Sequence, residues 1–263
     1  MNSKLLGIAV SMMLAACVSA PKGAPTTHGE ARGHPLAATD TVAVFLSTEV
    51  LADRKASEVA STAPAESLAS IAIRPAGDID AIRKSFLKGF KSARPDAPVV
   101  WVDEPFRLAC FESGTKSPES DRAILVKPDL SGARCRALLE ERRIRYLVSM
   151  TGWSETTSRT AAVTIWPGGG VSTKREHLFE FVARVFDTAS GLDVCGDRAW
   201  EIAQSENKGG LTVPPYVPFP LPVPIVSITT VDEPAYFARA AWVVGARVGA
   251  CFVAPAIIEP GSH

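Results

Sequence analysis

Histidine is scarce in this chain, with 4 in 263 residues. His28 and His34 precede the first strand-like run and His263 ends the chain, which leaves His177 alone in the interior. A metal centre built on imidazoles is therefore not expected. Net charge is lacking too, since 28 basic residues balance 28 acidic ones. That removes the usual footprint of a nucleic-acid binder, and no nucleic acid is expected as a partner. The sequence holds no GxSxG, HExxH, GxxxxGK[ST] or GxGxxG, so no cofactor and no standard catalytic constellation is expected. Gly168, Gly169 and Gly170 follow Pro167 between strand-like runs and do not open a helix, which argues against a phosphate cradle.

A long uninterrupted apolar run is also missing. The nearest approach is Asp232 to Val253, DEPAYFARAAWVVGARVGACFV, where Gly245 and Gly249 have the spacing that lets helices approach closely. Arg239 and Arg247 interrupt it, and each would cost about 2.5–3.5 kcal/mol in mid-membrane. A helix lying on a sheet is the better expectation, capped by Asp232, with Pro234 in its first turn.

What is present begins at the amino terminus. Lys4 precedes an apolar stretch from Leu5 to Ala16, and Cys17 follows. This is the layout of a secretory signal, too short for the ~20 residues a spanning helix needs. Leu14-Ala15-Ala16-Cys17 resembles the lipobox of bacterial lipoproteins. The resemblance implies that residues 1–16 are removed and that Cys17 becomes the acylated amino terminus, with a membrane held as partner through three acyl chains. Val18 stands where Asp usually signals inner-membrane retention in enteric bacteria, so the implied location is the outer membrane, facing the periplasm. Residues 17–39 read as a flexible tether with few large apolar groups, and 40–258 as a single α/β domain.

With Cys17 assigned to lipid, Cys110, Cys135, Cys195 and Cys251 remain. An even number in an oxidising compartment reads as two disulfides with three possible connectivities. Cys110 with Cys135 and Cys195 with Cys251 is the favoured arrangement, the second pair fastening the last helix to a strand.

The fold class read from the sequence is α/β (α+β): a mixed sheet with two or three helices packed on it, including the apolar C-terminal helix. TVAVFLS at Thr41 to Ser47 suits a buried strand. Asp78 can cap a helix that places Ile79, Ile82, Phe86, Leu87 and Phe90 on one face. Val99 to Val102 continues as a strand. GARCRALLEERR is a second helix that runs into IRYLVSMTGW, an apolar run suited to a central strand. Leu178 to Asp187 alternates and Leu192 to Ile202 runs back, a hairpin around Asp187 to Gly191. Ser154 to Ser158 is read as a solvated loop.

The segments TVAVFLS, LLEERRIRYLVSMTGW, FEFVARVFDTASGLDVCGDRAW and AYFARAAWVVGARVG, in that order behind a lipobox, resemble a group of periplasmic lipoprotein domains. These are the curli secretion-channel lipoproteins, the penicillin-binding-protein activator lipoproteins and the amino-terminal domain of the Tol-Pal propeller protein. The segment from Trp153 to Val171 reads as too short for a curli-type barrel hairpin, so pore formation is not carried over.

Leu211 to Ile228 reads LTVPPYVPFPLPVPIVSI, with proline at 214, 215, 218, 220, 222 and 224. Such spacing forces an extended path and excludes a central strand. Tyr216, Phe219 and Leu221 are the candidate partner-binding residues, on a loop strapped across its own sheet or on a surface that meets a protein or membrane. The functional expectation is a non-catalytic binding or assembly factor of the cell envelope, with an envelope protein or a second copy as partner. The alternative is a periplasmic hydrolase of glycan or ester, which would have to use His177 with Ser172 or Ser154 and Asp187.

Overall fold

The computed structural model describes residues 34–47, 66–118, 124–165, 168–212 and 223–253. Cys17, the signal segment, most of the tether, and Tyr216, Phe219 and Leu221 lie outside the described residues. The elements in chain order are β1 (His34–Pro35), β2 (Thr41–Ser47), β3 (Glu66–Pro75), α1 (Ile79–Ala93), β4 (Val99–Trp101), α2 (Glu104–Cys110), β5 (Thr115–Pro118) and β6 (Ile124–Lys127). They continue as α3 (Ala133–Glu141), β7 (Ile144–Ile165), β8 (Gly168–Asp187), β9 (Asp193–Thr212), β10 (Val223–Ile228), α4 (Glu233–Ala250) and β11 (Phe252–Val253).

The main sheet is mixed, in the order β10-β9-β8-β7-β2-β4. β2 runs parallel to both β4 and the first part of β7, and β3 pairs antiparallel with the second part of β7. β7, β8 and β9 form an antiparallel meander of strands 22, 20 and 20 residues long. At about 3.3 Å per residue the meander extends some 70 Å.

The period-2 alternation of strands sorts two cores. Val42, Val44, Tyr146, Val148, Met150, Phe181, Ala183 and Val185 face α1 and α4. Ala43, Leu147 and Phe186 belong to the opposite core, with Phe106 of α2 and Cys135 and Leu139 of α3. Asp78 caps α1 by accepting from the Ala81 amide at 3.2 Å, and Asp232 caps α4 by accepting from Ala235 at 3.3 Å. α1 buries Ile82, Phe86 and Phe90, as its spacing of three and four dictates.

The glycines of α4 serve helix against helix. A Cβ on Gly245 would run into the Phe86 carbonyl, and one on Gly89 would run into the Trp242 carbonyl. α4 therefore lies against the sheet and α1 together. Its two arginines are accommodated at its rim. Arg247 donates to the Arg198 carbonyl at 2.6 Å, and the Arg239 guanidinium lies over the Tyr236 ring at 4.5 Å. Among the described residues no helix is long and apolar enough to cross a membrane.

Of the three cysteine connectivities, the structure has Cys110–Cys135, joining α2 to α3, and Cys195–Cys251, joining β9 to the end of α4. Their Cα separations are 5.0 and 6.3 Å.

Three expectations are corrected. Ser154 to Ser158 is not a loop but the middle of β7, paired on one edge with β3 and on the other with β8. A strand hydrogen-bonded on both edges does not need apolar side chains to stay in a sheet, so hydrophobic patterning understated it. The hairpin is correspondingly longer than Trp153 to Val171 suggested. The fold also reaches back into the expected tether: Leu36 is fully buried, and His34 places Nε2 3.1 Å from the Val194 carbonyl.

Candidate contact surface at the far end of the meander

The paired ends of β7 and β8 and those of β9 and β10 lie at one end of the sheet. Ile165 is opposite Gly168, and Thr212 is opposite Val223. From Ala162 outward β7 to β10 carry no charge, and Glu66 of β3 stands opposite Ala161. Residues 160–173 and 209–231 contain no Asp, Glu, Lys, Arg or His. Residues 213–222, with most of the prolines, connect two strands that end at this edge of the fold.

One cross-strand row at this end is Ala162, Val171, Gly209 and Val226, and a neighbouring row holds Thr160, Thr173, Asn207 and Ile228. Val171 is 53% exposed, Val226 70% and Ile228 68%. Exposed β-branched residues in adjacent rows form a patch rather than scattered single groups. Thr160 and Thr173 tie the second row together, oxygen to oxygen at 3.1 Å.

β10 is the outer strand. Pro224, opposite Leu211, has no N–H and can stand only at a position whose amide would point away from β9. The outer edge is thereby stripped of a donor where another chain would pair with it.

A margin of mixed charge begins one row behind Val171 and Val226: Lys208 shares a row with Ala161, Ser172 and Ser227, with Glu66 opposite Ala161, and Arg159 and Lys174 share a row with Glu206. Counting back from the paired ends, the first charged residue on β7 is Arg159, on β8 Lys174 and on β9 Lys208. Arg159 is directly opposite Lys174. All three are exposed. Lys208 lies 3.1 Å from Glu206, which also accepts from the Ser172 hydroxyl at 2.6 Å. The Ser172 hydroxyl first, then Lys208, hold the Glu206 carboxyl below its usual range. β10 reaches no charge until Asp232, beyond its end.

The structure does not assemble the hydrolase constellation. His177 is 8% exposed on the sheet face beneath α4. Its Nδ1 is 3.1 Å from Thr156 Oγ1, and its Nε2 is 3.1 Å from Ser205 Oγ. Ser172 donates to Glu206, and Asp187 sits ten residues along β8, about 33 Å away, paired with Arg145. Ser205 is a hydroxyl that sequence reasoning missed, because only the register between β8 and β9 brings it to His177. The remaining ring nitrogen meets a threonine where a triad would place a carboxylate, so the histidine acts as a cross-strand tie. Burial pushes the His177 pKa down, with Glu233 opposing and Arg175 assisting.

On the opposite face Glu180, 1% exposed, forms an ion pair with Arg198 of the neighbouring strand. Among the described residues no group of His, Cys, Asp or Glu is placed to hold a metal ion.

Comparison with family models, curated proteins and solved structures returns no match to this chain.

Proposed function

We propose that this chain is a bacterial lipoprotein held to the periplasmic side of the outer membrane through Cys17. In this reading it is a non-catalytic binding or assembly factor of the cell envelope, and the uncharged end of the meander is its contact surface. The observation that carries the reading is the cluster of Val171, Val226 and Ile228, exposed on one face of the sheet end in cross-strand rows that hold no charged residue. Soluble surfaces rarely leave such a patch uncovered. Two disulfides support an oxidising compartment. The lipobox-like LAAC at the end of the apolar leader supports the anchor.

The test is photocrosslinking in intact cells from Val171 and Ile228, with Leu192 at the opposite end of the meander as control. Adducts to envelope components, lipid included, that form from the first two positions and not from Leu192 are expected. Equal labelling from both ends would overturn the reading.

A further inference from the structure

We propose that the outer face of the α1/α4 helix layer lies on the anionic head groups of the membrane that holds Cys17. The inference rests on the anchor proposed above and goes beyond it by assigning the side of the domain that meets lipid.

In a chain without net charge these two helices hold a one-sided share. From Ile82 to the Arg94 cap stand Arg83, Lys84, Lys88, Lys91 and Arg94 and no acid, with Asp78 and Asp80 at the start of α1 and Asp96 beyond its end. From Pro234 to Val253 stand Arg239 and Arg247 and no acid. Several of these cations are engaged within the fold. Arg83 lies over the Trp101 ring, Arg94 donates to the Leu36 carbonyl at 3.3 Å, and Arg247 to the Arg198 carbonyl. Lys84, Lys88 and Lys91 are exposed, and among the described residues none of them forms an ion pair. Spacings of four and three put them on one stripe of α1, away from the buried Ile82, Phe86 and Phe90.

A lysine stripe alone is common on solvated helices. Two further observations set this one apart. The first is the shape and chemistry of the surface. α1 and α4 run parallel in close contact, with Gly245 against Phe86, Gly249 against Phe90 and Gly89 against Trp242. That approach shuts the groove between them, where a peptide would otherwise lie. Trp242 is 41% exposed on the α4 turn that meets Gly89, next in the chain to Lys88. An exposed tryptophan beside lysines suits the boundary between head groups and water.

The second is where the anchor's chain arrives. β1 pairs with β11, which follows α4 directly. Leu36 is buried in the same core as Phe90. The chain from Cys17 therefore joins the fold at the carboxyl ends of both helices, within a turn or so of Lys91. Residues 17–33 reach at most about 60 Å, and the 18 residues of α4 span about 27 Å, so the whole layer is within reach of the bilayer. Three lysines attract weakly and only within about 10 Å of a charged surface. A tether makes such attraction sufficient, because it keeps the domain concentrated at that surface.

The experiment uses the mature protein, with acyl mass on Cys17 checked first, reconstituted in vesicles of phosphatidylethanolamine and phosphatidylglycerol with nitroxides on some head groups. The four domain cysteines are paired in disulfides, so a thiol-reactive dye goes to Ser92→Cys on α1 or, as control, to Ala137→Cys on α3 across the sheet. Ser85→Cys replaces the first variant if that one fails to fold. The Ser92→Cys dye is expected to be quenched and the Ala137→Cys dye not. Each lysine at an anionic surface is worth about fivefold in binding, so Lys84→Gln, Lys88→Gln and Lys91→Gln together should lower the ratio of docked to free domain roughly a hundredfold. Equal quenching at the two positions overturns the inference, as does quenching at Ser92→Cys that persists on vesicles of phosphatidylcholine alone. So does a Ser92→Cys dye that escapes the lipid quencher and responds instead to added peptidoglycan fragments. In an acylated protein these outcomes leave the anchor standing, whereas absence of acyl mass overturns anchor and inference together.

Discussion

Replacing each disulfide with a pair of alanines should cost the domain several kcal/mol, and the two costs should differ in a calculable direction. Cys110 and Cys135 are 25 residues apart, and Cys195 and Cys251 are 56 apart. The entropy of closing such loops in the unfolded chain corresponds to about 3.5 kcal/mol for the first and about 4.2 kcal/mol for the second. All four residues are buried, so each double substitution also leaves small voids that add to the loss. The second bond holds the end of α4 to β9, and the first holds two short helices to each other. Against a typical total stability of about 5–15 kcal/mol, either loss is large. Urea unfolding of C110A/C135A and C195A/C251A, followed by circular dichroism, measures both. The slope with urea should also rise, because an uncrosslinked unfolded chain exposes more surface. Losses below about 1 kcal/mol for both variants, or free thiols in the oxidised parent protein, would refute the reasoning.

Gly245→Ala is a test of sign. Helix propensity alone would stabilise α4 by about 1 kcal/mol, whereas collision with the Phe86 carbonyl should cost about 1–3 kcal/mol and lower Tm by several degrees in a scanning calorimeter. Phe179, fully buried and stacked on Tyr236 at 5.3 Å, should lose about 3–5 kcal/mol on Phe179→Ala in the same urea assay. Burial lowers the His177 pKa in the folded state, so the unfolded chain binds the proton more readily. Stability from this group is fully present above about pH 6.5 and is lost as pH falls through the folded value. The parent protein should therefore lose stability on acidification from pH 7, and His177→Gln should flatten that part of the profile. A parallel decline in both proteins would contradict the assignment.

The apolar runs TVAVFLS and IRYLVSMTGW, and the three-and-four spacing after Asp78, were enough to place β2, the first half of β7 and α1. Their cores are apolar, and local pattern reports apolar burial. The second half of β7 escaped that reasoning because Ser154, Thr156 and Ser158 are held by two neighbouring ladders and by cross-strand hydroxyl contacts, which leave no apolar period. α2 was missed for a different reason: FRLACFE is too short to show a period, although its Asp103-Glu104-Pro105 start repeats the capping pattern at Asp232, and Asp103 accepts from the Phe106 amide at 3.1 Å. The proline run was legible as extended and unfit for a central strand; of it Val223–Ile228 is described, as the outer strand, and 213–222 lie outside the described residues. That its flanking strands end beside the paired ends of β7 and β8 was not legible, since it depends on the register of four strands. The same register brings Ser205 to His177 and leaves Asp187 far from it.

The central claim is attachment at Cys17, since it fixes the compartment in which the disulfides form and the membrane to which the domain is held. Mass spectrometry of the amino-terminal peptide from the outer-membrane fraction tests it directly. The account requires a peptide beginning at Cys17 and carrying the mass of a diacylglyceryl group and an amide-linked acyl chain. An unmodified amino terminus on protein recovered from the cytosol would contradict it.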